Sequence, residues 1–454
     1  MRFCDMKKIV KIFLVGMLAS IFPSIQAETI KSGEYTFYLK ATRDGSEYKQ
    51  GEQAEFCLTA TKNGQPVEIE FTGQITKDSV DIGKNFSGTT KNGKFSIKGT
   101  LNEAGFLRCD VFLKVPNKDG KIKTVYILAN AGFDVLQIKP SLPAPDDFDA
   151  YWDKQKKILA SIPMNIQLKK VNSGDAEIEA FDVQADSFNG KLSAFIAYPK
   201  NAKAKSLPAI VQAHGAGVYG SSIPTNWAKL GFLAINFNAN GLPNRKPAKF
   251  YNDLAQGELK QYYLKNCNDR DTIFFRTLYM RLMRAMDVVC AQPQWDGKNL
   301  VVIGGSQGGG QALAGGGLNP KVNVVVAGYP AICDHSGVVI GRTTGWPHFV
   351  RTNANGNYDK KVVEVARYID AVNFASRIKG KTFVLINYAD NVCEPTSCYA
   401  AYNNIKAPKV LRINEQARHK PTKGTYPALH NLMLKYLQDN GVNVKLRTDI
   451  DKFY

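Results

Sequence analysis

One decapeptide restricts the folds open to this chain more than any other: Val301-Val302-Ile303-Gly304-Gly305-Ser306-Gln307-Gly308-Gly309-Gly310. A short apolar run suits a strand buried on both faces. The Gly-x-Ser-x-Gly that follows is the pattern of a nucleophile elbow, the sharp strand-to-helix turn that lifts a serine hydroxyl above a sheet. Ser306 is therefore the candidate nucleophile. The glycines have a steric task, because the elbow strains the serine backbone and flanking side chains would collide with the neighbouring strand and helix. Gln311-Ala312-Leu313-Ala314 is the expected start of the helix whose N-terminus lies beneath Ser306, where its dipole favours negative charge. Taken alone, the motif also fits a glycine-rich turn with an incidental serine, so the rest of the chain has to decide.

At 454 residues the chain exceeds what one core usually serves, and two domains are expected. Its 44% apolar and 22% charged content is that of an ordinary globular protein rather than a disordered one. Residues 1–27 read as a cleavable signal peptide: Arg2, Lys7, Lys8 and Lys11 precede an apolar run from Ile12 to Phe22, with Ile25-Gln26-Ala27 at the cleavage site. The expected destination is outside the cytoplasm, periplasmic or secreted. No later run reaches the roughly 18 apolar residues of a membrane span, and Cys4 precedes the apolar run, where it cannot carry a lipid after cleavage. Loss of the segment lowers the formal net charge from +19 to about +16. The lysines are nevertheless dispersed, with no dense basic block or aromatic platform, which argues against a nucleic-acid partner.

Seven cysteines follow the signal segment, an odd number that leaves at least one free. Cys57 and Cys109 are the pair worth testing for a disulfide. Alternation, however, puts Cys57 opposite the face of Phe56, Leu58 and Ala60, and Cys109 on the face of Leu107 and Val111, which argues against a bridge. No CxxC pair or His/Cys cluster points to a metal.

Residues 28–138 read as an all-β, immunoglobulin-like sandwich. Alternating strands are expected at Tyr35–Ala41, Ala54–Ala60, Val67–Phe71, Phe95–Gly99, Phe106–Val115 and Val125–Val135, separated by Asn-Gly and Asp-Gly turns. It carries no histidine, so a spacer or binding accessory is the expected role. Three prolines in Lys139–Pro145 mark a linker. Residues 139–454 then alternate between strand and helix patterns, beginning with a helix that Asp146 and Asp147 open and cap, and Glu177–Asp186 with Lys191–Pro199 read as an antiparallel pair. This is a doubly wound α/β sheet, with its site at the carboxyl ends of the strands.

An acyl-transfer serine needs a base, a group orienting that base, and donors for the oxyanion. Asp390 follows the strand Thr382–Tyr388, and His419 lies on a loop just after the strand Lys409–Ile413, so serine, acid and histidine appear in the order expected for an elbow serine. His430 is the alternative base, in a helix where an imidazole more often packs than reacts; Asp370 and Asp334 are alternative acids. The turn His214-Gly215-Ala216-Gly217 after the strand Pro208–Ala213 can aim a backbone donor, so the N–H groups of Ala216 and Gln307 are the candidate oxyanion hole, with His214 packed beneath the loop.

Pro145-Asp146-Asp147-Phe148 with Tyr151-Trp152, Pro208–Gln212 leading to His214-Gly215, Gly304-Gly305-Ser306-Gln307-Gly308-Gly309, and Asp390-Asn391-Val392-Cys393-Glu394-Pro395-Thr396-Ser397 together resemble the acetyl xylan esterase and cephalosporin C deacetylase family of α/β-hydrolases, over roughly residues 140–440. The resemblance implies that Ser306, Asp390 and His419 form a triad removing acetyl groups from xylan-derived or related oligosaccharides and polysaccharides, with no metal or organic cofactor. It also implies a small acyl pocket and leaves a symmetric homo-oligomer open. Three positions depart from the pattern: Asn240-Gly241-Leu242 replaces ArgGlyGln, Lys420 replaces the Glu after His, and Ala216 replaces an aromatic residue. The first two are expected to loosen support around the site, and the third to change what fits above Ser306. A serine peptidase of the same fold and a catalytically silent glycan-binding protein are the competing readings.

Overall fold

A nine-stranded sheet forms the spine of residues 167–414. Its order across the sheet is Gln167–Val171, Ile178–Ser187, Gly190–Pro199, Leu233–Phe237, Leu207–Ala213, Trp295–Gly305, Val324–Gly328, Lys381–Asn387 and Lys409–Asn414. The first three strands pair antiparallel, as does Gly190–Pro199 with Leu233–Phe237, and all later pairs are parallel. The structure, a computed structural model, describes residues 30–420 and 424–448, so the expected signal segment lies outside the described residues.

Helices cover both faces of the sheet, which is why its central strands are continuous apolar runs. Val302 and Val325 point into one core with the helices Phe148–Ala160, Phe274–Cys290 and Gln307–Leu318. Their neighbours Val301, Ile303, Val324 and Val326 point the other way, against Leu429, Met433 and Leu434 of the helix Thr425–Asp439. Each such fully buried side chain contributes about 1.5–3 kcal/mol, so the elbow rests on a rigid platform. At Asp147 the expected cap is absent: its carboxylate makes no cap bond and instead accepts from Arg270 and from the Tyr368 hydroxyl.

The N-terminal region is built from two five-stranded sheets around one apolar core containing Phe37, Phe56, Leu58, Phe71, Val111 and Phe133. The expected strand Val67–Phe71 is shifted to Glu70–Lys77, and the ten-residue strand Val80–Thr89 escaped the sequence reading. It is an edge strand in which only Val80 and Phe86 are partly buried, so its alternation is weak. Cys57 lies on a strand of one sheet and Cys109 on a strand of the other, and both are free thiols.

Candidate active site

Ser306 stands between the strand Trp295–Gly305 and the helix Gln307–Leu318 with φ 57° and ψ −126°, a conformation that costs a non-glycine residue free energy. Its surroundings hold it there. The Ser306 N–H donates to Gly328 O at 3.0 Å, and its carbonyl accepts from Gly309, Gly310 and Ala331 at 2.8, 3.1 and 3.0 Å. Close approach explains the glycines. A Cβ on Gly308 would lie 2.3 Å from Ala213 O, and one on Gly310 would lie 2.3 Å from Ala331 O. The helix accordingly begins at Gln307, four residues before its expected start, because packing outweighs the poor helix propensity of three glycines.

His419 Nε2 lies 2.9 Å from Ser306 Oγ, while its Nδ1 is 2.8 Å from Asp390 Oδ2 and 3.1 Å from Oδ1. With Asp390 accepting the Nδ1 hydrogen, the neutral imidazole keeps Nε2 free to accept from the serine hydroxyl. The Asp390 side chain is wholly buried, and Oδ1 also accepts from the Val392 and Cys393 N–H groups, both at 2.9 Å. Such donors are what a buried carboxylate requires. The His419 side chain keeps 20% exposure, so the imidazole opens to the cleft while the Asp390 carboxyl is sealed from it.

The alternative residues are engaged elsewhere. His430 packs against Trp227 and Tyr426, with Arg447 Nη1 2.6 Å from its Nδ1. Asp370 accepts from the Asp334, His335 and Val372 N–H groups, and Asp334 accepts from the N–H and hydroxyl of Ser141. His214 donates from Nδ1 to Gly215 O and accepts at Nε2 from the Ala239 N–H, and burial lowers its pKa, so it is a neutral strut.

Ser306, His419, His214 and Ala216 line a cleft of about 960 Å³ whose apolar walls include Trp227, Tyr329, Trp346 and Val392. That volume suits a sugar together with its ester rather than an acetyl group alone. Gln307, as first residue of its helix, presents an N–H with no acceptor within that helix. The loop carrying Ala216 abuts the elbow: a Cβ on Gly215 would sit 3.9 Å from Ser306 Cβ.

Tyr262 was missed in the sequence. Its hydroxyl accepts from the Gly217 N–H at 3.0 Å and donates to Gln307 Oε1 at 2.9 Å, joining the two segments that carry the candidate oxyanion donors. Burial pushes the phenol far up, so it stays protonated. Nothing local in Gln261-Tyr262-Tyr263 signals this, since the partners are 45 residues away on each side. The Asn240 departure is also compensated, because Asn240 Nδ2 donates to Gly217 O at 2.9 Å.

Asp390, Cys393 and His419 each offer an atom within 4.8 Å of the others. They form a poor metal set, since both Asp390 oxygens are already accepting hydrogen bonds and burial holds the Cys393 thiol protonated.

Among solved structures, an acetyl xylan esterase from Paenibacillus sp. R4 matches with a TM-score of 0.58 at 27% identity, covering 67% of this chain and 98% of its own. Acetyl xylan esterase 1 from Thermoanaerobacterium sp. JW/SL YS485 matches with a TM-score of 0.56 at 24% identity, covering 66% and 97%. The fold class these define is the α/β-hydrolase, as the strand and helix order led one to expect. The chain belongs to the acetyl xylan esterase (AXE1) family, whose model matches residues 133–439, and it is a carboxylic ester hydrolase acting on acetyl esters. A relative from Xylanibacter ruminicola, acetyl esterase Axe7A, is 31% identical over 432 residues, covering 93% of this chain and 95% of that protein. Among the described residues no helix is long and apolar enough to cross a membrane.

Proposed function

We propose that this chain is an exported serine esterase that removes acetyl groups from acetylated xylan-derived or related oligosaccharides. Ser306 is the nucleophile, His419 the general base and acid, Asp390 the group orienting it, and the Ala216 and Gln307 N–H groups the oxyanion hole. The observation carrying this reading is the unbroken line from Asp390 through His419 to Ser306 at 2.8 and 2.9 Å, ending on a strained serine in the wall of the cleft.

His419 Nε2 takes the hydroxyl proton as Ser306 Oγ attacks the acetyl carbonyl, and the two backbone N–H groups stabilise the negative oxygen. The imidazolium then protonates the departing sugar oxygen, leaving an acetyl-enzyme and a free sugar hydroxyl. Water attacks that ester with His419 again as base and releases acetate. The family and the relative's name support the acetyl group, and the cleft volume supports a sugar-sized leaving group. Export rests on residues 1–27. The two sheets around one core, antiparallel except where Glu47–Tyr48 joins Ile122–Phe133, support reading residues 28–138 as an immunoglobulin-like accessory domain.

The test compares p-nitrophenyl acetate, butyrate and octanoate, then acetylated xylo-oligosaccharides, with wild type and Ser306→Ala. Acetate-selective cleavage abolished by the substitution is expected. Cleavage that persists in Ser306→Ala would sink the assignment, and retained glycan binding without any ester cleavage would favour the silent binding protein.

A further inference from the structure

The N-terminal β region does not hang from the hydrolase sheet by its linker. It grips the two loops that carry Asp390 and His419. On the acid loop, Asn130 Nδ2 donates to Tyr388 O, two residues before Asp390, and the Tyr388 hydroxyl donates to Glu47 Oε1 at 2.7 Å. Phe106 lies edge-on to the Tyr388 ring at 4.8 Å. Beyond Asp390, the Thr396 N–H in the first turn of the helix Pro395–Asn404 donates to Asp78 Oδ2 at 3.0 Å, so a carboxyl from one region caps a helix of the other. Arg108 donates to Ser79 Oγ at 2.7 Å, and Ser79 in turn donates to Glu394 Oε1 at 3.1 Å. Glu394 follows Cys393, whose N–H holds the Asp390 carboxylate.

The base loop is held in the same way. Arg418, immediately before His419, donates to Tyr126 O at 2.8 Å with its guanidinium 5.0 Å from the centre of the Tyr126 ring, and Ser46 Oγ donates to Glu415 Oε2 at 2.9 Å. Asp78, Arg108, Asn130 and Glu394 are all buried, and a buried polar seam holds one geometry because each broken bond leaves an unsolvated group. The solved relatives described above cover only two thirds of this chain, whereas the Xylanibacter relative spans nearly all of it.

We propose that the N-terminal β region is a positioning element of the active site, in which Asp78 and Tyr126 fix the Asp390 and His419 loops so that the Asp390–His419–Ser306 line forms. The proposal rests on the triad assignment above. None of these residues meets substrate; each acts through the loop it holds.

The experiment measures kcat and KM for p-nitrophenyl acetate, with thermal unfolding in parallel, on full-chain Asp78→Ala, Asp78→Asn, Arg418→Gln and Leu58→Val, with Ser306→Ala as reference. Asp78→Ala and Arg418→Gln are expected to lower kcat about tenfold with KM within about twofold, the signature of displaced catalytic groups. Asp78→Asn keeps an acceptor for the Thr396 N–H and is expected to restore most of kcat. Leu58→Val weakens the core the two sheets share from the strand Gln53–Lys62, which carries none of the seam residues, and should lower the unfolding temperature while leaving kcat unchanged. Equal kcat in wild type, Asp78→Ala and Arg418→Gln would overturn the proposal, as would a kcat loss that follows unfolding temperature across all variants, Leu58→Val included. Activity surviving in Ser306→Ala would instead reject the triad itself, so the two failures are distinct.

Discussion

Replacing Asp390 by Asn tests the chemistry at constant volume. In the folded chain Asp390 Oδ1 accepts from the Val392 and Cys393 N–H groups, and Oδ2 takes the shorter bond from His419 Nδ1. An amide must keep its oxygen on the two backbone donors, because turning NH₂ toward them would leave two buried N–H groups unmet at about 1–3 kcal/mol each. Its NH₂ then faces His419 Nδ1. The imidazole has to accept at Nδ1 and carry its proton on Nε2, where it opposes the Ser306 hydroxyl and can no longer take a proton from it. Loss of the correct tautomer with geometry intact is worth about 10⁴-fold in kcat, or about 5.5 kcal/mol at about 1.4 kcal/mol per tenfold. The assay is steady-state hydrolysis of p-nitrophenyl acetate at neutral pH, with thermal unfolding as a check on the fold. KM should stay near wild type, since Asp390 is sealed from the cleft. A variant retaining more than a tenth of wild-type kcat would refute the tautomer argument and return attention to another acid.

Tyr262→Phe removes the hydroxyl that ties Gly217 to Gln307 and should lower kcat about tenfold with little change in KM, less than the 10²–10³ of losing an oxyanion donor outright; an unchanged kcat on p-nitrophenyl acetate would deny it that role. Gly308→Ala sets a Cβ 2.3 Å from a backbone oxygen, an overlap no rotamer relieves, and should destabilise the fold by about 3 kcal/mol in urea unfolding; a neutral result would mean that the elbow is looser than its contacts imply. Burial pushes Asp78 up to about 6 from an ordinary 3.8, Arg108 opposing the shift and Asp390 adding to it, while burial and Asp78 itself push neighbouring Glu394 well up. The folded chain therefore binds that proton more tightly than the unfolded one, and this contribution to stability is lost as pH rises from 3.8 through about 6. Asp78→Asn, neutral throughout, should unfold at a higher temperature than wild type at pH 8, with the gap closing toward pH 4; a gap independent of pH would show that the carboxyl does not titrate in that window.

Much of the hydrolase sheet was legible because its central strands are buried on both faces and its helices are amphipathic. Ser306, Asp390 and His419 could be named because each sits just past an apolar strand, where such folds keep their chemistry. The helix start at Gln307 was not legible, since intrinsic propensity counts three glycines against a helix while the contacts that require them come from Ala213, Gly328 and Ala331. Val80–Thr89 was invisible for the opposite reason, with only Val80 and Phe86 partly buried to mark a face. Tyr262, Asp78 and Tyr126 escaped because their meaning lies in partners 45, 318 and 292 residues away. A local reading of the chain cannot supply pairings of that separation.

The members of the proposed triad are held by unequal means. Ser306 is fixed by its own neighbourhood: glycines admit the Ala213, Gly328 and Ala331 carbonyls, and four backbone bonds hold the strained turn. Asp390 is fixed locally by the turn that supplies the Val392 and Cys393 N–H groups, and the helix that follows this turn is capped by Asp78 of the β region. His419 is held from both sides. Within the hydrolase, Asn414 Oδ1 accepts from the Gln416 and Ala417 N–H groups and Asn387 Nδ2 donates to Arg418 O and Lys420 O, while the Arg418 side chain reaches across to Tyr126. The departure at Lys420 falls on this loop. A loop anchored partly through tertiary contacts depends on whatever it rests against, so under the proposed triad the β region on the Asp390 and His419 loops is better understood as part of the active-site scaffold than as a spacer.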